Sequence, residues 1–432
     1  MSDDSSNTDH TVHLSEFGQR LCGGSGIGEL MDDLGHALAE GGEAMHMLGG
    51  GQPAHIPEMN ALWRGRMEAI LNSPGQLEHM LGNYEPPAGR TGFRTAIADL
   101  FRKEFGWKLT RDNIAITMGG QTAFFSLFNA LAGRFTNGQQ KKILLPLVPE
   151  YIGYADQAVS GSIFRSVKPR IEFTGNHQFK YRVDFDQLTV DNDVAAICVS
   201  RPTNPTGNVL TDDEIRHLSD LARSHGIPLI IDNAYGAPFP NVIFRDATPI
   251  WDDHIILTLS LSKLGLPGTR TGIVIAKPDT IEAVASMTSI MGLANTNTGQ
   301  AIVQPLIESG EILELSNKVV KPYYKKRSEQ AQQWVNEYFD DTLDYFVHNS
   351  EGALFLWVWF RGLPISSREL YERLKARKVL VVPGSYFFFG HGDPDWKHSD
   401  ECLRINYTMP DEHVREGLRI IGEEVAKAYA KS

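Results

Sequence analysis

The stretch Ser260-Leu-Ser-Lys-Leu-Gly-Leu-Pro-Gly-Thr-Arg-Thr-Gly272 sets one lysine, two serines and one arginine among three glycines and a proline. Glycine and proline at that density forbid an ordinary helix, so the polar side chains stand on a turn. The amine of Lys263 can condense with a carbonyl group to give an imine. Ser260, Ser262 and Arg270 are the donors that a phosphate accepts from. An imine-forming carbonyl on the same molecule as a phosphate describes pyridoxal phosphate. A surface turn with a solvated lysine would use the same residues, and the segment alone leaves both readings open.

The elements that would position this turn are buried strands. Ile255-Ile-Leu-Thr-Leu259 is apolar, rich in β-branched residues and too short for a typical helix. A lysine just past such a strand lies where open α/β sheets place their ligands. Three further strand ends carry unusual polar residues. Asn113–Thr117 leads into Met118-Gly-Gly-Gln121 and then a helical pattern, so Gly120 and Gln121 stand at a helix N-terminus, a natural anion site. Ile197–Ser200 leads into Arg201-Pro-Thr-Asn-Pro-Thr-Gly-Asn208, where prolines on either side hold the chain around Asn204. Leu229–Ile231 leads into Asp232-Asn-Ala-Tyr235-Gly236. An aspartate there is costly to bury unless it meets a cation; capping a helix is its other ordinary use.

Strands alternating with helices predict an α/β fold, a mostly parallel central sheet with helices on both faces. From about Lys321 the pattern changes to one long helix followed by short strands, which predicts a smaller α+β domain. The expected boundaries are a disordered polar tail over residues 1–14, an N-terminal arm over 15–55 that joins the small domain, a large domain over 56–318 and the small domain over 319–432.

Forty-one basic residues against 53 acidic ones leave a formal charge of −12, which repels nucleic acid and anionic membranes alike. No apolar run approaches the length needed to span a bilayer. Cys22, Cys198 and Cys402 are too few and too scattered for a disulfide framework or a zinc knuckle. The first ten residues are acidic and polar, without the basic region and apolar core of a signal peptide. A cytoplasmic protein with small-molecule partners is expected.

In order and interval, Gly119-Gly-Gln121, Asn204-Pro-Thr-Gly207, Asp232-x-x-Tyr235, Ser260-x-Ser-Lys263, Arg270 and the late Arg404-Ile-Asn-Tyr407 resemble the fold-type I pyridoxal-phosphate aminotransferases. Within that family the bacterial valine-pyruvate branch is similar in Met47–Pro53, Pro149–Tyr154, Ser200–Asn208, Ile231–Gly236 and Ser260–Gly268. The resemblance implies a ping-pong reaction between an amino acid and a 2-oxo acid, valine and pyruvate in that branch. It implies that Lys263 holds pyridoxal phosphate and shuttles the proton. Asp232 then faces the pyridine nitrogen, Asn204 and Tyr235 the phenolic oxygen, and Tyr151 the ring face. Gly120, Gln121, Ser260, Ser262 and Arg270 would hold the phosphate, with Tyr84 reaching it from the neighbouring subunit of a homodimer. Arg404 and Asn204 would bind substrate, the arginine taking the α-carboxylate, and Gly51 would offer a backbone N–H to that carboxylate.

Other features keep alternatives open. Met291–Gly299 departs from the valine-pyruvate pattern, and Arg270 follows Lys263 at the seven-residue step that relatives acting on aromatic or 2-aminoadipate-type amino acids also show. Phe387-Phe-Phe389 suggests an apolar substrate pocket, with core packing as its other reading. His391–His398 lacks metal-ligand spacing and reads as a solvated loop. A metabolite-sensing regulator on the same fold would carry a basic DNA-binding domain ahead of it, whereas the arm here is short and acidic.

Overall fold

The computed structural model describes residues 12–23, 25–39 and 45–430. Most of the expected polar tail therefore lies outside the described residues. The larger sheet has eight strands. Its order runs Ile114–Met118, Thr271–Ile275, Ile255–Ser260, Leu229–Asp232, Val194–Ser200, Gln140–Leu145 and Gly133–Arg134, with Phe164–Ser166 also paired to Gln140–Leu145. The central strands run parallel, and Thr271–Ile275 is antiparallel to both neighbours. Val194–Ser200, Leu229–Asp232 and Ile255–Ser260 are buried along their whole length, as strands covered by helices on both faces must be. Each fully buried Ile, Leu or Val contributes about 1.5–3 kcal/mol, so these runs set the register firmly. That register aligns Ser200, Asp232 and Thr258 in one row. The polar residues that follow the three strands thus leave the sheet together.

The helices begin where local chemistry predicts. Thr211 caps Asp212–Ser224 through a reciprocal bond with Glu214. Pro57 opens Pro57–Leu71. Helix Gly120–Leu131 starts directly after Gly119, whose φ of 82° a side chain would resist.

The smaller sheet has six strands, in the order Val382–Pro383, Cys402–Asn406, Phe355–Phe360, Tyr345–His348, Gln178–Arg182 and Arg170–Gly175. Its last two strands form a hairpin from within the 56–318 stretch. The buried Lys180 fastens that hairpin to the larger unit, donating to Asn208 Oδ1 at 2.8 Å and pairing with Glu351. The arm strand His46–Met47 pairs with Val379–Leu380, and Asn406 N–H donates to Leu48 O at 2.7 Å, so the arm packs against the smaller sheet. No described helix is long and apolar enough to cross a membrane.

Candidate active site

The ends of the larger sheet's central strands, the arm and the strand Cys402–Asn406 enclose a cavity of about 340 Å³. Gly51, Gly120, Gln121, Tyr151, Asn204, Asp232, Tyr235, Ser260, Ser262, Lys263, Arg270 and Arg404 all line it. Of the cofactor and substrate residues that the family resemblance implies, Tyr84 alone lies elsewhere, 85% exposed on the outer surface.

Lys263 sits in a short turn that ends at Gly265, φ 93°. Its ammonium donates to Gly51 O at 2.7 Å and lies 5.0 Å from the centre of the Tyr235 ring. Burial of the amine, with the charges of Arg404 and Arg270 nearby, lowers its pKa to about 7. A sizeable neutral fraction at pH 7 is what attack on a carbonyl requires.

Asp232 is buried and accepts from three donors: Tyr154 Oη on one oxygen, and Ala234 N (3.0 Å) and Thr258 Oγ1 (3.4 Å) on the other. Burial raises its pKa, and these three bonds oppose that rise. Among the described residues it forms no ion pair. A buried carboxylate without a cation awaits one, and a protonated pyridine nitrogen meets that need.

At the opposite end, the first turn of Gly120–Leu131 opens onto Arg270. A Cβ on Gly119 would fall 2.2 Å from Arg270 Nη2, so only glycine lets the guanidinium come this close to the helix start. Gly120 and Gln121 at that helix start line the same cavity as Ser260, Ser262 and Arg270, a donor set that suits an anion. Cationless carboxylate, reactive amine and anion cradle together fit pyridoxal phosphate. Gly153 permits the aromatic wall: a Cβ there would meet the Tyr151 ring at 2.4 Å.

Arg404 lies between Trp357 and Val382 in the smaller sheet. It donates to Asn204 Oδ1 at 2.9 Å and to Gly49 O at 2.6 Å, and its Nε is buried without a partner. Its guanidinium stacks 4.3 Å from the Phe355 ring centre and 5.3 Å from that of Phe387. Burial lowers its pKa to about 10; at pH 7 it remains a cation with donors to offer.

A model of the aminotransferases of class I and II matches residues 67–421. The chain belongs to that family. It is a pyridoxal-phosphate-dependent aminotransferase with the fold-type I architecture read from its strand ends. The Escherichia coli valine-pyruvate aminotransferase is 46% identical over 97% of this chain and 99% of its own length. The solved valine-pyruvate aminotransferase of Salmonella typhimurium superposes with a TM-score of 0.86 at 46% identity, covering 94% of this chain and all of that one. A Pyrococcus horikoshii kynurenine aminotransferase, solved with pyridoxamine phosphate, shares the fold at a TM-score of 0.76 and 19% identity, covering 94% and 95% of the two chains.

The structure also departs from expectation in this aminotransferase. Phe387–Phe389 does not line the cavity: Phe387 backs Arg404, Phe388 packs on Trp357 and Trp396, and Phe389 on Phe164. The apolar cavity wall comes instead from Ile27 and Met31 of helix Gly26–Ala39, with Phe124 and Ile152. Gly51 presents its carbonyl to Lys263, so the arm's contact to the lysine is through oxygen. Tyr154 and Glu150 carried no expected role. Their signal was only their place in Pro149–Tyr154, next to Tyr151.

Proposed function

We propose that this aminotransferase moves the amino group of valine to pyruvate, giving 3-methyl-2-oxobutanoate and alanine. Valine's carbon skeleton leaves before pyruvate enters, so one site serves both half-reactions. The observation that carries the substrate assignment is the cavity's charge. Among the described residues, the only lysines and arginines lining it are Lys263, Arg270 and Arg404. With Arg270 at the phosphate cradle, Arg404 alone remains for a substrate carboxylate, and a second one would find no partner. The 46% identity with the E. coli enzyme supports the same reading.

When bound, pyridoxal phosphate supplies an electron sink for the pair left at the substrate's α-carbon. Asp232 would keep the ring nitrogen protonated, and Tyr235 and Asn204 would hydrogen-bond the phenolic oxygen. Tyr151 covers the ring face. Gly120, Gln121, Ser260, Ser262 and Arg270 hold the phosphate. Arg404 grips the α-carboxylate through two parallel bonds. Lys263 would hold the cofactor through its amine and, as a free amine, would carry the proton of the substrate's α-carbon.

The reading extends to a homodimer. Tyr84 is exposed, and so are Ile290 (88%) and Leu293 (66%). The divergent segment 291–299 is bonded to the loop that follows Tyr84, through Asn295 Nδ2 to Pro87 O at 2.8 Å. A second copy covering this face would bring Tyr84 to its neighbour's phosphate. Cys22, Cys198 and Cys402 are all unpaired, in keeping with a reducing cytoplasm. Helices and strands of residues 56–318, less the 170–182 hairpin, form the large domain of this reading.

Steady-state rates with valine, aspartate, phenylalanine and 2-aminoadipate, each against pyruvate, test the assignment. Valine should give the highest kcat/KM; a larger value for aspartate or 2-aminoadipate would overturn it.

A further inference from the structure

The helix Gly26–Ala39 turns different sides to different neighbours. Ile27 and Met31, one helical turn apart, line the cavity. Glu29 stands two residues from each, on the opposite side of the helix, and does not line the cavity. Its carboxylate is gripped by the smaller unit. Arg368 donates through Nη2 to Oε1 at 2.5 Å and through Nη1 to Oε2 at 3.3 Å, and the Tyr386 hydroxyl donates to Oε2 at 2.6 Å. Arg368 Nη1 also donates to Tyr386 Oη at 2.7 Å, which closes the triangle. Arg368 belongs to helix Ser367–Ala376 and Tyr386 to the turn Gly384–Phe387.

Gly26 seats the start of this helix. A Cβ there would fall 2.8 Å from the Tyr386 ring and 3.2 Å from Ile152 Cδ1, so glycine lets the helix approach both. Ile152 is itself part of the cavity wall. Ahead of it, Arg20 Nη2 of helix Glu16–Cys22 donates to Gly161 O at 2.5 Å, close to strand Phe164–Ser166 of the larger sheet. The two helices of the arm are therefore bonded to both units. The Arg368 and Glu29 side chains are 54% and 39% exposed, so solvent screens the pair, and holding the helix in place through it is worth about fivefold.

We infer that Glu29, Arg368 and Tyr386 are positioning residues, a latch that holds Ile27 and Met31 against the substrate's side chain and thereby sets the preference for valine over alanine without touching either. The inference rests on the proposed valine-pyruvate reading. Valine carries two methyl groups beyond alanine, and these are what an apolar wall can recognise, each worth about fourfold when buried. A loosened helix therefore costs valine and spares alanine, whose contacts are to Arg404 and the cofactor residues.

The test compares the parent holoenzyme with Arg368→Ala and with Tyr386→Phe, which keeps the ring that Gly26 packs on and removes one donor to Glu29. Two quantities are read: the second-order rate constant with which valine, and separately alanine, converts the cofactor's spectrum in a single turnover, and the hydrogen exchange of the amides of residues 26–39. Arg368→Ala should lower the constant for valine about fivefold, leave its limiting rate unchanged and leave alanine's constant within about twofold of the parent, while exchange over 26–39 speeds up about fivefold. Tyr386→Phe should move both readouts the same way by about twofold. Adding Glu29→Ala to Arg368→Ala should change neither further, because the two residues act through one contact. Equal losses for valine and alanine, exchange over 26–39 unchanged in Arg368→Ala, or a full further loss in the double variant would overturn the inference. Should valine fail to convert the parent's cofactor, the substrate reading is what has failed, and the exchange result by itself then decides the latch.

Discussion

Replacing Tyr154 by phenylalanine removes one oxygen and little else. The ring packs 4.7 Å from Phe124 and 5.1 Å edge-on from Phe128, contacts that phenylalanine keeps. Among the described residues the hydroxyl is the sole donor to one oxygen of Asp232, and the other oxygen has Ala234 N–H and a long contact from Thr258. A hydrogen bond to a charged group is worth about 1.5–3 kcal/mol. At about 1.4 kcal/mol per pK unit, losing it raises the Asp232 pKa by about one to two units. In the proposed site Asp232 pairs with the ring nitrogen as a carboxylate, so affinity is lost as pH falls through its pKa. The acid limb of the pyridoxal phosphate affinity profile should therefore lie about one to two pH units higher in Tyr154→Phe than in the parent. Burial keeps the tyrosine's own pKa far above this range, so the parent hydroxyl remains a donor throughout. Absorbance titration of the apoproteins between pH 5 and 8 measures both limbs. Limbs that coincide within about 0.3 unit would refute the assignment of Tyr154 as the donor that holds Asp232 ionised.

Further outcomes follow from the same geometry. Arg404→Lys keeps the charge but loses the planar fork; kcat/KM for valine should fall about 30–100-fold, matching roughly 2–3 kcal/mol, with cofactor affinity unchanged. A loss of less than threefold would place the carboxylate elsewhere. Lys263 in the apoprotein should react with an amine-labelling reagent half-maximally near pH 7, well below the ordinary lysine value of about 10.4; a midpoint above 9 contradicts the site's electrostatics. Tyr84→Ala and Lys263→Ala proteins should each be impaired, while co-refolded hybrids regain activity, because in the proposed homodimer one of the two sites combines an intact Lys263 with the neighbouring copy's intact Tyr84. Hybrids no better than the average of the parents would remove Tyr84 from the neighbouring site.

The strand-end residues were legible because each interrupts a buried apolar run. Asp232, Lys263 and Asn204 follow strands whose burial the periodicity predicts, and the parallel register brings their ends together. Arg404 follows only the family pattern, since its strand belongs to another sheet. Residues whose role depends on contacts distant in the chain were not legible. Tyr154 meets Asp232 across 78 positions, and no local period marks it. The hairpin 170–182 joins a sheet made by residues 345–406, a pairing that neither strand's own sequence specifies. Of the two readings open for the phenylalanines 387–389, core packing holds: Phe387 backs Arg404, Phe388 packs on Trp357 and Trp396, and Phe389 on Phe164. The apolar wall is shared by Ile27 and Met31 of helix Gly26–Ala39 with Phe124 and Ile152, contacts that no local pattern in the arm specifies.

The proposed site holds its cofactor and accepts the aliphatic amino acids valine and alanine through a single arginine, Arg404. The most direct measurement is a half-reaction titration of the holoenzyme, following the cofactor's visible absorbance as single amino acids are added without an acceptor. Valine and alanine should each convert the spectrum completely, and aspartate and glutamate should leave it unchanged at equal concentration. Conversion by aspartate at a lower concentration than valine, or no conversion by valine at all, would contradict the account.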